Sequence, residues 1–115
     1  MSNPISHDQL ITALAAAPTP YVFEALPEAY FRKGHLPGAR RLDYLQAVDQ
    51  IAALGLAADA AIVVYCANAA CQNSHGAADA LTAAGYTNVR VYGEGKQGWQ
   101  EAGLPLARDR DVRTA

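Results

Sequence analysis

Apolar and polar positions fall into short blocks whose period switches along the chain, and the switches predict helices alternating with strands. Leu10, Ile11 and Leu14 share one face of a helix over about 7–16, which Pro18 and Pro20 end. Residues 21–25 (YVFEA) read as a short buried strand. Pro27 suits the first turn of a short helix carrying Ala29, Tyr30 and Phe31; Gly34 stops it, and Pro37 and Gly38 make a turn. Residues 39–42 are a brief strand candidate. Over about 44–54, Leu45, Val48, Ile51, Ala52 and Leu54 recur at helical spacing, with Gly55 at the end. The clearest strand is 61–65 (AIVVY), apolar throughout and β-branched, the pattern of a central strand covered on both faces. Ser74 is the expected N-cap of a helix to Ala84, ended by Gly85. Residues 88–92 (NVRVY) form the last predicted strand, and a final helix spans about 96–102.

This alternation implies an α/β domain: a mostly parallel sheet with helices on both faces. In such sheets ligands bind beyond the carboxyl ends of the strands, and Cys66 lies at that end of the strongest strand. The 115 residues suit one domain, expected over 1–106, with a charged tail over 107–115 that frays. With 51% hydrophobic and 17% charged residues, the chain can bury a core without staples. A net charge of -2 gives no reason to expect nucleic acid or an acidic membrane as partner. No apolar run approaches the ~18 residues of a membrane span. No basic start leads into an apolar stretch as in a signal peptide, so the cytoplasm is the expected compartment. There, the two cysteines in one short loop are more often catalytic, redox-active or metal-binding than a structural staple.

That loop runs Tyr65-Cys66-Ala67-Asn68-Ala69-Ala70-Cys71-Gln72-Asn73-Ser74-His75. Between a strand and a helix, loop amides and unpaired first-turn N–H groups can converge on one point and hold an anion. A thiol held there is stabilised as thiolate, the nucleophilic form, so Cys66 is the candidate nucleophile. A buried apolar residue ending a strand is the alternative reading of Cys66. The candidate substrate-binding positions are Ala67, Asn68, Ala69, Ala70, Gln72, Asn73, Ser74 and His75. Asn68, Gln72 and Asn73 either supply amide donors to a bound anion or satisfy the loop's own backbone. His75 either faces the anion or is a solvated first-turn residue. Cys66, Cys71 and His75 lack a fourth ligand, so no metal is expected, and no cofactor.

Three ordered stretches carry a family resemblance. They are Pro27-Glu28-Ala29-Tyr30-Phe31-Arg32-Lys33-Gly34-His35-Leu36-Pro37-Gly38-Ala39; then Val63-Val64-Tyr65-Cys66 followed by Ser74-His75-Gly76-Ala77-Ala78-Asp79-Ala80-Leu81; and the segment 89–99 with Gly103-Leu104-Pro105. Together they resemble the rhodanese family of small sulfurtransferase domains. The resemblance implies a five-stranded parallel sheet and a persulfide mechanism. In the mechanism that the resemblance implies, Cys66 as thiolate attacks the outer sulfur of a donor such as thiosulfate, or of a persulfide, forms a persulfide and passes that sulfur to a thiol acceptor.

The departures from the family are specific. Asn73 stands where members commonly carry an arginine; the loop has no Arg or Lys and is two residues longer than usual. Glu24 takes the family's opening acidic position and Leu26 its arginine, so that support is altered or moved to residues such as Arg40. Arg40 and Arg41 read as a surface pair, one of which can reach the pocket. Cys71, five residues after Cys66, is a candidate catalytic partner: a resolving thiol that attacks a persulfide or sulfenate on Cys66. Packing in the loop is its alternative. His35 reads as structural, its imidazole bonding backbone, and Trp99 as a packing residue. Three functions stay open: a sulfurtransferase, a dithiol redox enzyme or sensor, and a binding module without catalysis.

Overall fold

The apolar blocks become ten elements in a computed structural model that describes residues 3–108. In chain order they are β1 (Asn3–Pro4), α1 (His7–Ala15), β2 (Tyr21–Glu24), α2 (Glu28–Lys33), β3 (Arg40–Arg41), α3 (Ala47–Ala53), β4 (Ile62–Tyr65), α4 (Asn73–Ala83), β5 (Val89–Tyr92) and α5 (Gly95–Glu101). The strands make one sheet in the order β1-β5-β4-β2-β3, and every pair is parallel. The strand with the most continuous apolar pattern, β4, is therefore central. Its register sets Glu24 beside Tyr65 on one flank and Tyr92 beside Tyr65 on the other.

Alternate side chains of the strands supply two cores. On one face Phe23, Ile62, Val64, Val89 and Val91 pack against Ala47 and Ile51 of α3 and Ala77, Ala78 and Leu81 of α4. The alanines at that contact let helix and sheet approach closely. On the other face Val22, Val63, Tyr65 and Tyr92 meet Leu10 of α1, Phe31 of α2 and Trp99 of α5. The predicted architecture, a parallel sheet covered on both faces, is the observed one. No helix among the described residues is long and apolar enough to cross a membrane.

Several local expectations need correction. The fifth strand is β1, two residues that pair with Arg90 and Val91 at the sheet edge; so short a segment with a proline carries no period to read. Residue 44 does not open a helix. Asp43 accepts from the Leu45 N–H through Oδ1 at 3.0 Å, and this local turn delays α3 to Ala47. Leu45, expected on the apolar face of that helix, is 77% exposed. Ser74 is not the N-cap of α4: Gln72 holds that position without a side-chain bond, and Ser74 is buried inside the first turn. Ala107, where a tail was expected to begin, pairs with His35 in an antiparallel bridge. The Arg108 Nε also donates to the Lys33 carbonyl. Positions 109–115, the remainder of that expected tail, lie outside the described residues.

Candidate functional site

At the carboxyl end of β4 the chain leaves the sheet through Cys66, which is 1% exposed, and crosses to α4 by way of Cys71, which is half-buried. The two cysteines are joined as a disulfide with Cα atoms 6.1 Å apart, inside the range a disulfide spans. The loop curls because Asn68 organises it. The Ala70 N–H donates to the Asn68 side-chain oxygen at 3.0 Å, and the Cys71 N–H donates to the Asn68 carbonyl at 3.2 Å. Asn68 thus satisfies the loop's own backbone, one of its two expected roles. Asn73 also reaches protein, its Nδ2 donating to the Ala25 carbonyl at 3.3 Å, which ties the start of α4 to the end of β2. Ala69, Ala70 and Gln72 are exposed, while Ala67 and His75 are half-buried.

The carbonyl side of the loop is clamped by α5. The Lys96 N–H donates to the Cys66 carbonyl at 3.0 Å and the Gln97 N–H to the Ala67 carbonyl at 2.9 Å. This contact requires glycine at 95: φ is +63°, and a Cβ there would run into the Cys66 carbonyl and the backbone of Ala67 and Asn68.

Beneath the clamp lies a charged network that sequence reading placed elsewhere. Glu24 is fully buried. Its Oε1 accepts from the Tyr65 hydroxyl at 2.8 Å, and Lys96 Nζ lies 3.1 Å from the same oxygen. Lys96 Nζ donates to Glu24 Oε2 at 3.2 Å and to the carbonyls of Tyr30 and Gly34, each at 2.9 Å. All three ammonium donors are used. The Tyr65 hydroxyl in turn accepts from the Leu36 N–H at 3.0 Å. The support for Glu24 is therefore Lys96, not Arg40. Nothing in the sequence could join them, because they lie 72 positions apart. The only local hint is an acidic residue closing an apolar strand, which needs a partner if buried. Burial pushes the Glu24 carboxyl above its ordinary value, and Lys96 and the Tyr65 hydroxyl offset that only in part. Burial and the neighbouring Glu24 charge push the Tyr65 phenol well up.

His35, expected to be structural, is buried. Its ring stacks on Phe31 with centroids 3.9 Å apart, and its Nδ1 donates to the Phe31 carbonyl at 3.2 Å. Trp99 packs as expected and donates Nε1–H to the Pro105 carbonyl. His7, for which the sequence offers no partner, bonds the Tyr92 hydroxyl through Nδ1 at 2.9 Å. Arg40 and Arg41 are both half-buried in β3 rather than a surface pair.

A parallel sheet whose central strand runs through a cysteine-bearing loop into a helix defines a class of small α/β domains. The chain belongs to the rhodanese-like family: the model of the rhodanese-like domain matches residues 6–102. No curated protein matches it. Among solved structures it is similar to a thiosulfate sulfurtransferase from Pseudomonas aeruginosa, with TM-score 0.85 and 20% identity over 99% of this chain and 22% of that one. It is similar also to a human single-domain sulfurtransferase, with TM-score 0.74 and 19% identity over 88% of this chain and 97% of that one. A rhodanese-like domain of the Alr3790 protein from Anabaena superposes with TM-score 0.70 and 23% identity, covering 84% of this chain and 95% of the domain. The chain thus spans about a fifth of the Pseudomonas protein and nearly the full length of the other two domains. At these identities the likeness establishes the fold.

Proposed function

We propose that this domain is a persulfide sulfurtransferase in which Cys66 takes up sulfane sulfur and Cys71 resolves it. With the loop reduced, the Cys66 thiolate attacks the outer sulfur of thiosulfate, forms Cys66–S–S⁻ and releases sulfite. The persulfide then has two exits. An external thiol takes the outer sulfur and leaves the Cys66 thiolate. Alternatively, Cys71 attacks the inner sulfur; hydrosulfide departs with the bonding pair and the loop closes as the disulfide. A dithiol reductant restores the pair: one of its thiolates attacks Cys71, the more accessible sulfur, Cys66 leaves as thiolate, and the second thiolate then displaces Cys71 as the reductant closes to its own disulfide.

The observation that carries this reading is the Cys66–Cys71 bond at the carboxyl mouth of the central strand. It supports reading the pair as a reacting unit, where a lone buried thiol would be inert. The family membership and the sulfurtransferase names of two structural neighbours add support. Cycling of the pair without any sulfur donor, as a dithiol redox enzyme or sensor, is the second reading, and the same bond favours it. Sulfide release from thiosulfate under a dithiol reductant separates the two. The proposal expects release by the wild type, abolition in Cys66→Ser, and in Cys71→Ser only the release that the external-thiol exit supplies, rising with reductant concentration. Equal release by all three proteins would remove both cysteines from the mechanism.

A further inference from the structure

Lys96 joins two parts of the molecule, one through its backbone and one through its side chain. Its N–H donates to the Cys66 carbonyl at 3.0 Å, next to the Gln97 N–H on the Ala67 carbonyl at 2.9 Å. Its ammonium is held by Glu24 at the end of β2 and by the carbonyls of Tyr30 and Gly34, in and just after α2. The side chain is 12% exposed and the carboxylate it meets 0%. The first turn of α5 is therefore anchored to β2 and α2 on one side and grips the cysteine loop on the other.

A trans peptide points its C=O and the following N–H in opposite directions. With the carbonyls of Cys66 and Ala67 taken by α5, the N–H groups of Ala67 and Asn68 point away from α5. Neither has a protein acceptor among the described residues. The sulfur lies on that same side. Side chains alternate across a strand, and Tyr65 faces the layer that holds Trp99 of α5. Cys66 therefore leaves on the opposite face, where its bond to Cys71 leads toward α4.

We propose that Lys96 is the positioning residue of the cysteine site: it locks α5 in place, so that two free N–H groups are aimed at the Cys66 sulfur and hold it as thiolate. No Lys or Arg lies between Cys66 and His75, so directed amides, with the first turn of α4, stand where a cation would. The use of that thiolate on sulfur rests on the sulfur-transfer reading; the lock and its effect on the thiol do not.

The test reads the ionisation of Cys66 in the reduced full chain, from the Cβ chemical shift of isotope-labelled cysteine across a pH series. Cys71→Ser is the parent, so that one thiol titrates, and His75 and Glu94 stay unchanged throughout. Lys96→Met alone would strand the Glu24 carboxylate, whose field also disfavours a thiolate. The key variant is therefore Glu24→Gln with Lys96→Met, which removes opposite charges together. The proposal expects the parent thiol to ionise below the ordinary ~8.5. At equal pH the double variant should show a thiolate-to-thiol ratio about tenfold smaller or less. Gly95→Ala, which disturbs the same contact from the backbone, should lower the ratio likewise. Lys96→Arg keeps the cation, and the cavity of about 280 Å³ that Lys96 lines with Lys33, Gly34 and Leu106 has room for it; most of the parent ratio should return. Val89→Ala, at the amino end of β5, weakens the core and should leave the ratio alone. A folded double variant with the parent's ratio, an equal fall in Val89→Ala, or a parent thiol at or above the ordinary value would overturn the role. A Lys96-dependent thiolate in a protein that takes no sulfur from thiosulfate would refute the reaction and leave the positioning role standing.

Discussion

Glu24 carries a carboxylate into a place water does not reach, and what surrounds it decides how the loop above is held. Burial raises its pKa above the ordinary 4.5 even with Lys96 and Tyr65 beside it. The folded state therefore binds a proton that the unfolded chain has already lost. Stability from this group is full below about pH 4.5 and declines as pH rises through the raised folded value. Denaturant unfolding of wild type and Glu24→Gln tests this: lowering the pH from 7 toward 4.5 should narrow any advantage of the variant over the wild type. A wild type that instead loses ground would mean the ion pair outweighs desolvation. Lys96→Met leaves the buried carboxylate without its cation and should cost about 3 kcal/mol at pH 7. Part of that loss should return at acid pH, because Glu24 then protonates. Only the need of Glu24 for a partner is legible in sequence, where Lys96 reads as no more than the start of a helix.

At the scale of elements, α5 acts as a clamp whose first turn grips the carbonyls of Cys66 and Ala67. Gly95→Ala puts a Cβ into that backbone at a positive φ. The expected loss is about 2 kcal/mol or more from the left-handed conformation and the collision together. Urea unfolding measures the loss, and the rate of Cys71 alkylation in the reduced protein should rise as the loop loosens. Most elements were readable because their apolar periods are long: β4, β5, α1 and α4 all fall within a few residues of expectation. The failures are local competitions. Asp43 captures an N–H and postpones α3. Ser6 and Gln9 form a reciprocal capping box that starts α1, a signature present in the sequence and not used. The two residues of β1 have no pattern at all.

For the whole molecule, the sheet order brings together parts that the chain separates. β2 and β4 lie side by side although some forty residues apart, so Glu24 and Ala25 meet the elements around Cys66. The position of the cysteine pair was legible because a strand, a loop and a helix are consecutive; the Lys96 support was not, because it depends on the crossovers. The same assembly leaves Cys66 buried when the disulfide is closed, so in the proposed reaction sulfur uptake requires the reduced loop. The proposed function has Cys66 take up the sulfur and Cys71 resolve it. Intact mass of the reduced protein after thiosulfate tests this most directly, with Cys66→Ser and Cys71→Ser alongside. Cys71→Ser should accumulate one added sulfur atom, wild type should pass on to the form lacking two hydrogens, and Cys66→Ser should gain no sulfur. Sulfur retained in Cys66→Ser, or no mass change in any of the three, would contradict it.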